Sequence, residues 1–276
     1  MFLPRRLTKK LFATRPGKWP RRGVCPTRGV MPYRFKAKSN CLLSRLPAKE
    51  LTRIETYLEP TDLPLGRVLY EPGEKLSHVY FPTTAIISLV YETQTGETAE
   101  IGIAGNHGLI GLPAIFGGDT TTGRAVVQTG GHGLRMSCSR AKKEFLAGDQ
   151  FQKLMLRYAQ AFMTQISQSA VCNRLHSVSQ RLCRWLLMTH DQLPGDRLAM
   201  THDAMAHMLG VRREGVTIAA GQLQDEGMIT YSRGSLVIVD RRGLEKKACE
   251  CYDVVANEYE RLIGSPPKKS AARTSK

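Results

Sequence analysis

Residues 201–229, THDAMAHMLGVRREGVTIAAGQLQDEGMI, constrain the fold of this chain more than any other stretch. Apolar residues recur at helical spacing on both sides of Gly210, and glycine suits the left-handed backbone of a sharp turn between two helices. Thr201 is the expected N-cap of the first helix, and the second runs from about Arg212 to Glu226. The second helix has an inner apolar stripe of residues spaced by one or three positions: Val216, Ala219, Ala220 and Leu223.

Polar and charged residues at the start of the second helix point away from this stripe. They are Arg212, Arg213, Glu214 and Thr217. An arginine can bind both acceptors of guanine, and a glutamate can accept from the cytosine amino group. Two arginines at the positive end of a helix are otherwise unfavourable, and an anionic partner would relieve that cost. The pattern predicts a helix-turn-helix that presents the second helix to the major groove, the alternative being a solvated charged face.

The residues after the second helix favour DNA binding over that alternative. TYSRGSLVIVD contains two β-type runs around Arg233 and Gly234, which predicts a short hairpin. A hairpin in this position is a wing that would bring Arg233 close to DNA. The helical and β segments upstream, described next, fit a dimeric DNA-binding protein.

The N-terminal half has a β-type texture. Residues 41–65 begin with a short helix that carries Leu51, Ile54 and Leu58 on one face and ends at Pro60. From Gly66 to Ser137, short runs alternate with turn residues: RVLY, HVYF, AIISLVY, TAEIGIA, RAVVQT and GLRMS. Many short strands at regular spacing predict a barrel or a sandwich.

The pattern becomes helical from about Ser139. One helix is expected to break at Gly148, and a long helix then runs to about Asn173 with an apolar residue every three or four positions. This stripe faces either a partner helix or its own domain. The β domain before it should already have a core, which favours a homodimer through Leu154, Tyr158, Phe162 and Ile166. Another helix follows to Pro194, and residues 244–262 predict a closing helix.

Basic residues are concentrated at the two ends of the chain. Residues 1–39 contain 12 Lys/Arg and residues 265–276 contain 4, and neither segment has an acidic residue. These tails account for the net charge of +16, since residues 40–264 hold 24 residues of each sign. They are either arms that contact phosphates or solvated ends. For the N-terminal tail we expect Met31 to be the true start, with residues 1–30 a product of start-codon choice; a mitochondrial-type presequence is a third alternative.

The cysteines predict no metal or redox site. Seven are present without a repeated spacing, which favours reduced thiols in a cytosolic protein. Cys249-x-Cys251 is too short for a Cys-x-x-Cys site, and no histidine pair has zinc spacing with matching cysteines. We therefore expect neither metal ligands nor a cofactor.

Several other classes of protein are disfavoured. No apolar run approaches the ~18–20 residues of a membrane span, and the N-terminus lacks a secretory signal, which predicts a cytoplasmic protein without a membrane partner. The sequence has no P-loop, no His-Glu-x-x-His and no Gly-x-Ser-x-Gly motif. In the β segment, His107 and Glu100 are the only candidates for catalysis and form no nucleophile–base set. We predict that the chain is not an enzyme.

At this point the chain from about 41 to 240 resembles the Crp/Fnr family of bacterial regulators related to the cyclic-AMP receptor protein. LGVRREGVTIAAGQLQDEGMI is similar to the recognition-helix signature of that family. Arg213 and Glu214 fall on the family's Arg-Glu pair, which implies that they contact bases. Arg212 lies where serine is common, and Ile218 lies where the cyclic-AMP receptor has a further base-contacting arginine. The resemblance therefore implies a different operator sequence.

The β part resembles the cyclic-nucleotide-binding roll, most clearly in GLIGLPAIFGGDTTTGRAVV. In nucleotide-binding members a glutamate right after the glycine of this step bonds the ribose, and a later arginine neutralises the cyclic phosphate. Here Leu112 follows Gly111 at the glutamate position, and Arg124 is the candidate phosphate partner. A leucine offers no hydrogen bond to a hydroxyl, so we expect no ordinary cyclic-AMP binding. The alternative is a true cyclic-nucleotide receptor that uses Arg124. Cys25 and Cys41 do not supply the cysteine cluster of the oxygen-sensing branch.

Together these features predict an α+β chain with an effector β-roll, a long dimerisation helix and a winged helix-turn-helix. We assign residues 1–40 to a basic tail, 41–148 to the roll, 149–173 to the dimerisation helix, 174–245 to the DNA-binding domain, and 246–276 to a C-terminal helix and basic tail. The expected partners are double-stranded DNA, a second copy of the chain, RNA polymerase and an unknown small-molecule effector.

Overall fold

A computed structural model describes residues 36–193 and 195–264 of the chain. Most of the predicted N-terminal tail, Cys25, and the C-terminal tail from residue 265 lie outside the described residues. Among the residues that are described, no helix has both the length and the apolar character needed to span a bilayer.

The N-terminal half forms a β-roll of two antiparallel sheets. One sheet has the strand order β1-β7-β3 and the other β2-β6-β4-β5. All six β-type runs of the sequence become strands within this roll. The strands are β1 (Glu59–Leu63), β2 (Val68–Tyr70), β3 (His78–Pro82), β4 (Ile86–Glu92), β5 (Thr98–Ala104), β6 (Arg124–Thr129) and β7 (Gly131–Ser137).

Helices precede, interrupt and follow the roll. Two short 3₁₀ turns and α1 (Ala48–Glu55) come before it, and α2 (Leu112–Phe116) lies between β5 and β6. After β7 the chain is helical through α3 (Cys138–Leu146), α4 (Gln150–Leu175) and α5 (Val178–Asp191). The predicted mixture of a β-roll followed by helices is confirmed.

The last part of the chain is a helix-turn-helix with a wing. It contains β8 (Arg197–Ala199), α6 (His202–Leu209), α7 (Arg213–Asp225), β9 (Ile229–Ser232) and β10 (Ser235–Ile238). The wing is a three-stranded sheet of order β8-β10-β9, so the hairpin expected from the sequence has gained β8 as an additional strand. Two further helices follow, α8 (Arg241–Lys247) and α9 (Cys251–Ile263).

Two sequence expectations about local structure were wrong. Pro60 does not end α1, which stops at Glu55, but lies within β1, opposite Leu134 of β7. β1 is an edge strand, where a proline is tolerated because one side of the strand needs no hydrogen-bond donor. The single closing helix expected over residues 244–262 is divided between α8 and α9, with the break at Ala248–Glu250.

Helix α4 buries the apolar stripe that the sequence assigned to a dimer seam. Leu154, Tyr158 and Phe162 are buried inside their own chain, and Ile166 is half-buried. The Tyr158 hydroxyl donates to the Leu109 carbonyl at 2.9 Å, and its ring stacks on Phe162. Helix α4 therefore completes the apolar core of the roll. The expectation that these side chains pack against a partner helix was wrong, because their own chain buries them.

Helix α9 covers another part of the same helix. The Gln165 amide of α4 donates to the Tyr259 hydroxyl of α9 at 3.2 Å, and the rings of Tyr158 and Tyr259 meet edge to face. Ile263 of α9 belongs to the same apolar cluster as the α4 stripe. The C-terminal helix therefore packs back onto the helix that leads from the roll towards the helix-turn-helix.

The roll and the helix-turn-helix share a continuous core along β5. Ile103 of the roll packs in one cluster with Leu186 of α5 and Met205 of α6. Within this contact the Glu100 carboxylate of β5 is buried and accepts a 2.9 Å bond from the Trp185 indole of α5. Burial raises the pKa of Glu100 to about 7, although the Trp185 bond and the charge of Arg184 oppose the shift.

We predict that Glu100 makes folding stability depend on pH. Because its pKa is about 7 in the folded chain and 4.5 ordinarily, the folded state retains a proton that the unfolded state releases between these values. The contribution of Glu100 to the free energy of unfolding is largest below the ordinary pKa of 4.5 and is lost as the pH rises through about 7. Glu100→Gln keeps an acceptor for Trp185, so the unfolding free energy of the wild type relative to this variant should fall by about 2.5 kcal/mol between about pH 5 and about pH 8.

Urea unfolding of both proteins at the two pH values measures this difference. Glu97→Gln, which changes an exposed glutamate of the neighbouring hairpin, is the matched control and should show no such trend. A pH-independent difference between the wild type and Glu100→Gln would show that Glu100 is ionised in the folded chain throughout this range.

Candidate nucleic-acid interface

The turn between α6 and α7 has the geometry that the sequence predicted. The Thr201 hydroxyl caps α6 by accepting from the Ala204 amide at 3.2 Å. Gly210 ends α6 with a φ of 60°, a left-handed conformation that favours glycine. Helix α7 begins at Arg213, and Val216, Ala219, Ala220 and Leu223 are all buried. The four buried positions anchor one face of α7 and thereby decide which face remains exposed.

The predicted base-contacting side chains occupy that exposed face. Arg212, Arg213, Glu214 and Thr217 are all exposed. Ile218 is 64% exposed on the same surface, which is unusual for an isoleucine and would suit contact with an apolar group such as a thymine methyl. The structure thus gathers an arginine pair, a carboxylate and a small apolar surface on the first two turns of one helix.

Arg213 has one ionic contact, and this contact leaves the guanidinium able to bind a different partner. Its Nε lies 3.3 Å from the Asp203 carboxylate of α6, and both side chains are more than half exposed. An exposed pair of this kind contributes little to stability, so the guanidinium can exchange this partner for another acceptor at small cost. The contact holds Arg213 beside the N-terminus of α6 in the absence of such a partner.

Thr217 has an internal role that the sequence did not indicate. Its hydroxyl donates to the Arg213 carbonyl at 3.1 Å, and the same oxygen lies 3.1 Å from Nδ1 of His202. Because the hydroxyl has a single hydrogen, His202 is the donor in the second contact. Thr217 therefore links the start of α7 to the start of α6.

His202 and Tyr231 are surface residues that the sequence analysis missed. The two rings stack with their centroids 4.3 Å apart, which connects α6 to the first wing strand. Burial and the nearby Arg213 charge lower the pKa of His202, so the ring is neutral near pH 7. The position of His202 directly after the N-cap Thr201 was the only available signal, since its stacking partner is distant in the sequence.

Arg233 lies at the tip of the wing. It has a φ of 48°, and Gly234 follows with a φ of 79°. Two consecutive positive φ values are typical of the tight hairpin turn that matches the twist of the flanking strands. The turn between the paired residues Ser232 and Ser235 leaves the Arg233 side chain exposed.

Two of the candidate effector residues are adjacent at the start of α2. Gly111 has a φ of 110° and precedes α2, whose first residue is the half-buried Leu112. Leu112 packs against the core of the roll, so the position that would bond a ribose hydroxyl carries an apolar group.

Arg124 is already paired within the chain. Its side chain is 8% exposed, its Nε donates to the Glu71 carboxylate at 2.7 Å, and another guanidinium nitrogen lies 3.7 Å from Glu92. Two carboxylates therefore offset the positive charge that a cyclic phosphate would need. A ligand phosphate would have to displace Glu71 from a largely desolvated arginine.

The expectation that the cysteines form no metal-type cluster requires correction. Four residues far apart in the sequence converge, with their potential ligand atoms all within 4.8 Å of one another: Cys172, His176, Cys249 and Cys251. The break between α8 and α9, which the sequence analysis missed, is what brings the last two residues to the end of α4.

Comparisons with known proteins agree with this architecture. Residues 180–247 match the model of the Crp-like helix-turn-helix domain. No curated protein sequence matches the chain. FixK2 from Bradyrhizobium japonicum is similar in structure, with 16% identity and a TM-score of 0.61, covering 70% of this chain and 98% of that one.

Two further solved structures are similar. A CRP-family transcriptional regulator from Thermus thermophilus has 17% identity and a TM-score of 0.58, over 68% of this chain and 96% of its own. The c-di-GMP-responsive global regulator CLP of Xanthomonas campestris has 17% identity and a TM-score of 0.56, over 70% and 99%. The chain therefore contains a Crp-like helix-turn-helix domain after a β-roll, and it shares the fold of these solved Crp/Fnr-type regulators.

Proposed function

We propose that this chain is a homodimeric transcription factor that binds a near-palindromic DNA operator through α7. The observation that carries the proposal is the exposure of Arg212, Arg213 and Glu214 on the first turn of the second helix of a Crp-like helix-turn-helix. Arginine forks and carboxylates at this position suit the edges of guanine and cytosine in the major groove. Transcription factors of this type act on RNA polymerase, which we include among the partners.

The contacts of the individual residues suggest different roles on DNA. Arg213 and Glu214 project from the start of α7 and are assigned to base contacts, while Arg233 at the wing tip is assigned to a phosphate. Thr217 is bonded to His202 and to the Arg213 backbone, so we assign it chiefly to positioning α7. The exposed Ile218 replaces hydrogen-bond recognition with an apolar contact, which supports an operator different from that of the cyclic-AMP receptor.

Arg213→Ala should weaken binding to the selected operator by about 1–3 kcal/mol, because a bidentate base contact is lost. Binding to unrelated DNA should change little. The operator is first obtained by selection from random sequence with the purified wild type, and both affinities are then measured at one fixed salt concentration.

Lys75→Ala is the matched control, because it removes one exposed positive charge of the β-roll, outside the helix-turn-helix. It should leave the ratio of specific to non-specific affinity unchanged. Equal losses of specific and non-specific affinity in Arg213→Ala would mean that Arg213 contacts a phosphate. Failure to select any sequence would contradict the proposed function itself.

The dimer requires a seam other than the buried stripe of α4. Leu156 and Met163 are 51% and 67% exposed, and Ala170 follows after another seven residues. The buried Ala159 and the half-buried Ile166 lie between them at heptad spacing. Apolar residues alternating every three and four positions are typical of a parallel two-helix seam. We propose that two copies pair along this outer face, which retains Ile166 from the seam expected from the sequence.

Met163→Asp should convert the dimer to a monomer, because two copies would place like charges against each other in an apolar seam. Thr164→Asp introduces the same charge one position along, on a different side of α4, and should leave the dimer intact. Sedimentation velocity of the three proteins tests this. A monomeric wild type, or a dimeric Met163→Asp protein, would exclude the proposed seam.

We also propose that the roll does not bind cyclic AMP in the usual way, although another small-molecule effector is compatible with the fold. Leu112 offers no acceptor or donor to a ribose, and Glu71 and Glu92 occupy Arg124. The same contacts argue against the alternative of a receptor that uses Arg124. A catalytic role for Glu100 has no support, since its carboxylate is bonded to Trp185 in the core.

Millimolar cyclic AMP or cyclic GMP should therefore leave the melting temperature of the wild type unchanged. A ligand at about 100 times its dissociation constant would add about 2.7 kcal/mol to stability, which a melting curve readily detects. A known cyclic-AMP-binding protein is melted in parallel as the positive control. A clear upward shift for this chain would restore the receptor alternative.

A further inference from the structure

We propose that this chain binds one zinc ion through a three-cysteine, one-histidine site formed by Cys172, His176, Cys249 and Cys251. The site lies where the end of α4 meets the break between α8 and α9. It is separate from the DNA-binding surface, and the inference does not rest on the proposed function.

The distances between the ligand atoms fit one tetrahedral ion. Atoms bound tetrahedrally to a zinc ion at about 2.0–2.3 Å lie about 3.5–3.8 Å from one another. Sγ of Cys172 and Sγ of Cys249 are 3.5 Å apart, and Sγ of Cys251 lies 3.6 Å from Nδ1 of His176. All four ligand atoms are within 4.8 Å of one another. That spread is too small for an iron–sulfur cluster, in which the cysteines bind different irons.

Local structure directs each ligand into the site. Cys172 and His176 are four residues apart at the C-terminal end of α4, which places them on one side of the helix. The His176 amide donates to the Cys172 carbonyl at 3.1 Å and so holds the helix end closed. Cys249 lies in the segment between α8 and α9, and Cys251 is the first residue of α9. The three cysteines are buried together.

The second nitrogen of His176 has the partner that a metal-bound histidine needs. Nε2 lies 3.2 Å from the carboxylate of Glu250, while Nδ1 faces the cysteines. A carboxylate on the far nitrogen keeps the proton there and leaves the other nitrogen able to bind a metal. Glu250 lies between Cys249 and Cys251, so one tripeptide supplies two ligands and the group that orients a third.

A nearby buried arginine would offset the net charge of a zinc–thiolate centre. Zinc binding releases the three thiol protons to solvent and involves no oxidation or reduction. Three thiolates, a neutral histidine and Zn²⁺ carry a net charge of −1. Arg184 is buried, and its Nε has no hydrogen-bond partner among the described residues, so it is placed to balance that charge.

Zinc in this position would fasten α9 to α4. Cys172 and Cys249 are 77 positions apart, with the whole helix-turn-helix between them, and the ion would join the two ends of that segment. The site is closed by four protein ligands, which is the arrangement of structural zinc sites. We therefore assign it a structural role that keeps α9 on α4.

The test measures metal in the full chain, produced in zinc-supplemented medium and purified with a reductant and without chelators. Elemental analysis of the wild type should find about one zinc per chain, and Co²⁺ substituted for it should give the visible absorption of tetrahedral cobalt thiolate. Cys249→Ser should lose the metal. Cys138→Ser, which changes a half-buried cysteine outside the cluster, should keep it.

Glu250→Gln gives a second test that does not remove a ligand. It should weaken zinc affinity roughly 10–100-fold in a competition titration with a chromogenic chelator, because only the orientation of His176 is disturbed. Removing zinc from the wild type with the chelator should lower its melting temperature, and adding zinc back should restore it. This measurement on the wild type stays decisive if Cys249→Ser fails to fold.

Any of four results would overturn the assignment. One is a reduced wild type that neither contains zinc nor takes up zinc or Co²⁺. Another is iron with inorganic sulfide in place of zinc, which would indicate a cluster. The third is a metal-free wild type in which alkylation and mass analysis find Cys172 and Cys249 joined in a disulfide. Equal metal content in Cys249→Ser and the wild type would exclude this set of ligands.

Discussion

The edge of strand β5 is the feature on which the rest of the structure depends. β5 is the outermost strand of its sheet, and an uncovered edge presents unpaired backbone groups. Here the Ile103 amide donates to the Gln165 side chain of α4 at 2.7 Å, and Glu100 accepts from Trp185 of α5. Gly102 permits this approach, because a Cβ there would lie 2.9 Å from the Gln165 side-chain oxygen. The edge is thus covered by the helices that lead into the DNA-binding part.

This arrangement determines which face of α4 is available to a partner. The inner face is occupied by the roll and by α9, so Leu154, Tyr158 and Phe162 serve the chain's own core. The outer face, with Leu156 and Met163, remains exposed. Helix α4 therefore has two apolar faces, one packed in its own chain and one exposed. The apolar spacing in the sequence does not show which face would contact a partner.

The helix-turn-helix shows how a few buried residues can orient a recognition surface. The buried residues from Val216 to Leu223 anchor α7, and the turn at Gly210 sets the direction of α7 relative to α6. The first turn of α7 then projects outward, with Arg213 resting against Asp203 at little energetic cost. The cluster of three cysteines and His176 lies where the end of α4 meets the start of α9. Recognition and the proposed zinc site thus lie on different parts of the same helical framework.

The sequence by itself determined those features that depend on local periodicity and turn chemistry. The alternating runs of the roll, the capped helix after Thr201, the glycine turn and the buried stripe of α7 are all local, and all were predictable. Features that depend on residues far apart in the chain were decided only by the tertiary structure. These include β8 in the wing, the pairing of Arg124 with Glu71, the stacking of His202 on Tyr231, and the packing of α9 on α4. The cysteine cluster belongs to the same group, because its spacing of 172, 176, 249 and 251 matches no linear motif and a break between two helices brings the four side chains together.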